Sequence, residues 1–248
     1  MRRHVVITGA SSGLGAGMAR ELAARGHALG LCARRTERLE QLAAELRAAH
    51  GVRVEVRTLD VTDHASVFAV FEDLARAFGT LDRVIVNAGV GEGRRVGTGH
   101  FETNRRTIET NLLAGLAQCE AAVAIFRRQR GGHLVVIASM SAFRGLPRHL
   151  TAYAASKAGL VHLAEGIRAE LLGTGIVVTT VFPGYVRTEL NEAAKRKLPF
   201  EVDQATGSRA LVRAIEREPA TACVPAWPWT LVRLALRVMP VRWLARMA

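Results

Sequence analysis

"HVVITGASSGLGAGMARELAARG" (residues 4–26) decides how this chain folds. It opens with a short run rich in β-branched residues, 4–8, which reads as a strand. Gly9 ends the run. Over 13–26 the apolar residues recur at helical spacing, and Gly26 stops the helix. Strand, glycine turn and helix together make the opening unit of a parallel sheet.

The same alternation continues outward from that stretch. Strands are predicted at 27–33, 52–59, 81–89, 132–139 and 175–184. Helices are predicted at 36–51, with Thr36 as N-cap and Gly51 as stop, and at 63–79, 101–130, 151–173 and 203–217. A short apolar run follows at 221–224. The pattern predicts an α/β fold, a doubly wound parallel sheet of about seven strands with helices on both faces. Residues 1–224 read as one unit, with a polar, lid-like segment at about 185–210 and an apolar, basic tail at 225–248.

The turn "TGASSGLG" (8–15) carries chemistry as well as shape. Gly9 permits a tight turn, Gly13 lets backbone approach a pyrophosphate, and Gly15 lets the helix pack closely. The helix start supplies unpaired N–H groups and the positive end of a dipole. A second candidate is "TAYAASKAG" (151–159). Tyr153 and Lys157 are four residues apart and share a helix face. A tyrosine ordinarily titrates near 10. A neighbouring ammonium is expected to lower that value and make Tyr153 a general acid or base.

"TGASSGLG", "NAG" (87–89), "YAASK" (153–157) and "PG" (183–184), in this order, resemble the short-chain dehydrogenase/reductase family from about residue 4 to residue 190. The resemblance implies a Rossmann-type sheet and a nicotinamide cofactor. It also implies hydride transfer between that cofactor and an alcohol or carbonyl. The cofactor set it implies is Gly9, Ser11, Ser12, Gly13, Leu14, Gly15, Asp60, Val61, Asn87, Ala88, Gly89, Tyr153, Lys157, Pro183, Gly184, Val186 and Thr188. Asp60 is placed on the adenine ring, Lys157 also on the nicotinamide ribose, and Thr188 on the carboxamide. Asp60 also reads as an N-cap or turn residue, a task open to Asp63. In "LCARRTERL" (31–39), Ala33 stands where an NAD-binding relative places an acid, and Arg34 and Arg35 follow. Forked guanidinium donors suit a 2′-phosphate. The expectation is NADP(H) rather than NAD(H), with Arg34 the leading residue.

Two further groups complete the implied catalytic set of Asn111, Ser139, Tyr153 and Lys157. Asn111 matches the asparagine that interrupts the long helix and passes a proton towards Lys157 through water. The hydroxyl that orients the substrate is assigned to Ser139, fourteen residues before Tyr153, with Ser141, twelve before it, as the alternative. Phe143, Leu146, Leu150, Tyr185 and Leu190 point to a hydrophobic carbonyl or alcohol substrate. A protein that senses NADP(H) without turnover is the competing reading; the complete Asn/Ser/Tyr/Lys set argues against it. The resemblance also implies a homodimer or homotetramer through 101–130 and 151–173.

Composition narrows the remainder. The formal net charge is +12, but the arginines are dispersed with no basic stretch interleaved with aromatics, which argues against nucleic acid. Cys32, Cys119 and Cys223 form no CxxC and no cluster with histidine, so neither a metal site nor a disulfide is expected. No apolar run at the start reaches the ~7–15 residues of a secretory segment. The chain is expected to be cytoplasmic. Its tail, with three tryptophans and Arg233, Arg237, Arg242 and Arg246, is either a cover for the substrate pocket, a subunit interface or a peripheral membrane contact through 226–248. Pro240 is expected to interrupt it.

Overall fold

Side chains alternate across a strand, so Val5 and Ile7 fall on one face of the sheet and Val6 on the other. This alternation organises the computed structural model, which describes residues 2–187 and 199–247. Among the described residues the strands are β1 His4–Thr8, β2 Ala28–Ala33, β3 Val54–Thr58, β4 Arg83–Val86, β5 Gly132–Ile137, β6 Ile176–Pro183 and β7 Thr221–Val224. They form one parallel sheet in the order β3-β2-β1-β4-β5-β6-β7. This is a Rossmann-like α/β fold.

Helices α1 Gly13–Ala23, α2 Thr36–His50 and α3 His64–Phe78 follow the first three strands. Next come α4 Phe101–Ile108, α5 Ala114–Gln129, α6 Thr151–Glu170 and α7 Gln204–Glu216. Helices α1, α2 and α7 pack Met18, Leu39 and Leu211 over one face with Ile7 and Leu31. Helices α3, α5 and α6 pack Phe71, Phe126 and Leu160 over the other with Val6 and Val136. Burying a side chain of this size stabilises by about 1.5–3 kcal/mol.

Several local signals act as read. Gly51 takes the left-handed conformation (φ 64°) that stops α2, and the Asp63 carboxylate accepts from Ser66 N to cap α3. Thr36 is instead the first helical residue. Arg35 occupies the cap, and the Thr36 hydroxyl bonds to Thr58 Oγ1 at 2.6 Å. The long helix expected over 101–130 is broken by a π turn at Glu109–Leu113. The tail forms α8 Ala226–Val238 and α9 Val241–Met247, separated at Pro240. Trp229, Leu236 and Leu244 are buried there with Ala138, Met140 and Phe182. Thr188 and Leu190 lie outside the described residues.

The amino-terminal edge of the sheet holds a buried polar network. Arg83 Nε donates to His133 Nδ1 at 2.8 Å, and Arg83 Nη2 donates to Glu218 Oε1 at 3.1 Å. His133 Nδ1 therefore carries no proton, and Nε2 faces Thr179 Oγ1 at 2.9 Å. The Thr179 hydroxyl donates its own hydrogen bond to Pro219 O at 2.7 Å. Burial, and then the Arg83 charge, push the His133 imidazole down to about 3. Below pH 6.5 the unfolded chain binds a proton that the folded chain refuses. Stability is therefore expected to fall as pH drops from 6.5 towards 3, with a slope of up to about 1.4 kcal/mol per pH unit from this group. Urea midpoints of His133→Gln measured from pH 7 to pH 4 are expected to show a shallower slope than the parent chain.

Candidate active site

The strand order reverses between β1 and β4, and a crevice opens outside the carboxyl ends of those strands. A cleft of about 560 Å³ lies there. Its floor is the turn after β1. Gly9 (φ 64°) and Gly13 (φ 53°) hold left-handed conformations that favour glycine. Gly15 is required for space: a Cβ there would lie 2.2 Å from Gly9 O. Asn87 Nδ2 staples the turn to the end of β4 by donating to Thr8 O at 2.9 Å. The Thr8 hydroxyl accepts from Asn87 N and Ala88 N, both at 3.1 Å. The Asn87 side chain thus braces the turn. Close packing of α1 against α7 falls to Gly17, where a Cβ would meet Ser208 Oγ at 2.0 Å.

Arg34 and Arg35 line one wall of the cleft with Ala33, Asp60 and Val61. Arg35 reaches back to the floor, donating to Ser11 Oγ at 3.2 Å and Ser12 Oγ at 2.5 Å. Arg34 is exposed and lies 3.8 Å from Asp60 Oδ2. Asp60 Oδ1 also accepts from Thr62 N at 3.0 Å, the turn role weighed for it above.

The opposite wall carries Ser139, Tyr153 and Lys157. Lys157 is buried and donates from Nζ to Ile137 O at 2.9 Å. Burial pushes its ammonium down to about 8. Tyr153 is not lowered as expected. Burial raises it, opposed by hydrogen bonding to the Ser139 hydroxyl. The helix spacing puts both residues on one face, but in this structure Lys157 spends a donor on the end of β5 and Tyr153 turns to Ser139. Ser139 also caps the short 3₁₀ turn at Met140–Phe143, accepting from Ser141 N at 3.2 Å. Among the described residues the buried Ser141 hydroxyl has no hydrogen-bond partner, and it does not line the cleft.

Asn111 sits in the π turn with its side chain spent on the Val90 backbone and the Ser156 hydroxyl. Its Oδ1 accepts from Val90 N at 2.8 Å, and its Nδ2 donates to Val90 O at 2.9 Å and to Ser156 Oγ at 3.1 Å. Ser156 in turn donates to Tyr153 O at 2.7 Å. This chain of bonds ties the loop after β4 to the start of α6.

Pro183, Gly184 and Val186 close the cleft at the end of β6. The Trp229 indole fills the space beside Gly184, where a Cβ would sit 2.1 Å from Trp229 Cε2. Every expected cofactor-site residue among the described residues lines the cleft; Thr188 lies outside them. The cleft adds Leu59, Val90, Gly91, Glu92, Thr110, Ile137 and Ala138. Of these, Leu59, Ile137 and Ala138 lie at or just past strand ends, which sheet position alone points to. Thr8 and Ser156 lie inside the motifs TGASSGLG and YAASK, but their bonds to the end of β4 and to Asn111 depend on residues distant in sequence.

The short chain dehydrogenase family model matches residues 3–199. The chain belongs to this family. An uncharacterized oxidoreductase of Mycobacterium tuberculosis is 51% identical across 100% of this chain and 98% of its own length. A short-chain dehydrogenase from Sphingobium yanoikuyae, solved with NADPH, is 32% identical with a TM-score of 0.82, covering 94% of this chain and 93% of its own. An alcohol dehydrogenase from Thermococcus sibiricus, solved with 5-hydroxy-NADP, is 30% identical with a TM-score of 0.79, covering 89% of this chain and 95% of its own. The chain is an NAD(P)-dependent oxidoreductase of the short-chain dehydrogenase family, acting on a small molecule.

The crowding at the turn has a direct consequence. Gly15→Ala forces a methyl group onto a backbone carbonyl and is expected to destabilise the fold by about 1–3 kcal/mol. A lowered urea midpoint with an unchanged denaturant slope would display it.

Proposed function

We propose that this chain interconverts a hydrophobic ketone or aldehyde and its alcohol, using NADP(H). The observation that carries the reading is one cleft holding the glycine turn, the Tyr153 and Ser139 hydroxyls and the Lys157 ammonium. A bound NADPH supplies hydride to the carbonyl carbon. The cleft fits that group. An ammonium has three donors, and with one spent on Ile137 O, Lys157 keeps two for ribose hydroxyls. The helix N-terminus at Gly13 faces a pyrophosphate favourably.

Tyr153 serves as proton donor to the carbonyl oxygen. Burial keeps its phenol protonated in the free chain, the form that reduction requires. Ser139 orients the same oxygen. Asn111, in the widened turn, and Lys157 renew the phenol's proton through water. In oxidation the roles of Tyr153 reverse. Preference for NADP(H) rests on Arg34 and Arg35 in the cleft wall and on Ala33 where a carboxylate would repel a 2′-phosphate. Thr188 is retained as the contact to the carboxamide. A hydrophobic substrate is supported by Phe143 tilted against Phe182 at 4.4 Å between ring centres and Tyr185 edge-on to Trp229 at 5.2 Å, all near the end of β6. Association into a homodimer or homotetramer draws support from Leu113 and Leu116, which stand exposed at the π turn and on α5.

NADPH absorbance followed against a panel of aldehydes, ketones, steroids and acyl thioesters tests the reaction class. With an active compound in hand, Tyr153→Phe is expected to lower kcat by about 10²–10⁴-fold while NADPH binding persists. Ser139→Ala is expected to follow it, and Ser141→Ala to stay within a few-fold of the parent. Binding of NADPH without oxidation of it by any compound would favour a sensing protein instead. Cofactor choice has its own check. The double variant Arg34→Ala/Arg35→Ala is expected to weaken NADPH binding about 10–100-fold and leave NADH binding within a few-fold, since each charge-assisted bond contributes about 1.5–3 kcal/mol before solvent exposure reduces it.

A further inference from the structure

A helix with apolar residues on one stripe buries that stripe; one with apolar residues all round is normally enclosed. Helix α8 is apolar on two sides. Trp229 and Leu236 face inward and are buried. Leu231, Leu234 and Val238 recur at spacings of three and four residues, and all are exposed, Val238 at 81%; Trp227, in a kink (φ −96°, ψ 134°) at the start of α8, is exposed as well. Val241 and Trp243 on α9 extend the exposed apolar surface.

The charge on the segments that build that surface has one sign. No Asp or Glu occurs anywhere after Glu218, and none occurs between residues 121 and 164. Arg237 stacks on Phe143 at 5.4 Å between guanidinium and ring centre, which joins α8 to the 140–150 segment. Arg144 joins the same segment to the α8–α9 junction by donating to Met239 O at 3.1 Å. Arg144, Arg237 and Arg242 have no carboxylate partner among the described residues.

We propose that the outer face of α8 and α9 docks on an anionic lipid surface. The tryptophans and aliphatic side chains enter the headgroup boundary, and the arginines pair with lipid phosphates. A second copy of the chain fits this face poorly, because a self-pairing contact brings arginine against arginine with no acid in either segment. The segment lies on the bilayer and does not cross it: among the described residues no helix is long and apolar enough to span a membrane. Docking here sets the end of β6, and with it the cleft beside Gly184 and Trp229, next to the lipid. The inference stands apart from the proposed reaction, since binding is measured without turnover.

The test is co-sedimentation of the full chain with phosphatidylcholine vesicles, with and without phosphatidylglycerol. Binding is expected to the mixed vesicles only, weakening as salt rises. Leu234→Glu/Val238→Glu, two exposed positions, is expected to abolish it with an unchanged melting temperature. Arg237→Gln/Arg242→Gln is expected to weaken it about 30-fold, about 1 kcal/mol for each arginine. The proposal is overturned by absence of binding to mixed vesicles, by equal binding of the parent and both variants, or by a dimer in solution that Leu234→Glu/Val238→Glu disperses. If the glutamate variant fails to fold, the arginine pair and the salt series decide alone.

Discussion

A buried ammonium held by the last carbonyl of a central strand is the constraint on which this site depends. Lys157 enters the cleft wall from α6, and Ile137 O at the end of β5 fixes it at 2.9 Å. Removing a charge from water costs free energy unless it is hydrogen-bonded. The bond therefore sets where α6 sits along β5, and with it where Tyr153 stands. The bonds from Val90 through Asn111 and Ser156 to Tyr153 O hold the same helix from the other side. Preorganisation of this kind places donors before a ligand arrives.

The glycine turn works under a different constraint, that of space. Gly9, Gly15 and Asn87 pack so closely that a side chain at either glycine would meet backbone or the Asn87 amide. The floor this leaves is bare of side chains at Gly9, Gly13 and Gly15. The two arginines at the wall divide their work. Arg35 belongs partly to the turn through Ser11 and Ser12, and Arg34 stands in solvent beside Asp60.

Much of this was legible because local signals agree with the fold. Alternating β-branched runs placed β1 without error and most other strands within about two residues, since pleat and burial share a period of two. Gly51 and Asp63 announced helix ends through chemistry that acts within a few residues. What escaped depends on contacts distant in sequence. Spacing put Lys157 on the face of Tyr153, but its partner lies twenty residues back on β5, which helix geometry does not reveal. Asn111 was visible as a poor helix former. The π turn around it follows from its two bonds to Val90, twenty-one residues away. The cleft residues that went unread, such as Val90, Gly91 and Ala138, contribute position more than distinctive side chains. The tail resisted for another reason: a helix apolar on two sides has no single stripe to mark its inner face.

Strand β5 also performs two opposed electrostatic tasks four residues apart. At one end His133 is kept without charge, and at the other Ile137 O supports a cation. Between them Leu134, Val135 and Val136 are fully shielded from solvent. Four strand residues span roughly 13 Å, and each end answers to its own surroundings: burial, Arg83 and Glu218 act on His133, and burial acts on Lys157. Acid that protonates His133 therefore loosens the sheet where Arg83 and Glu218 meet it, at the end of β5 opposite the crevice.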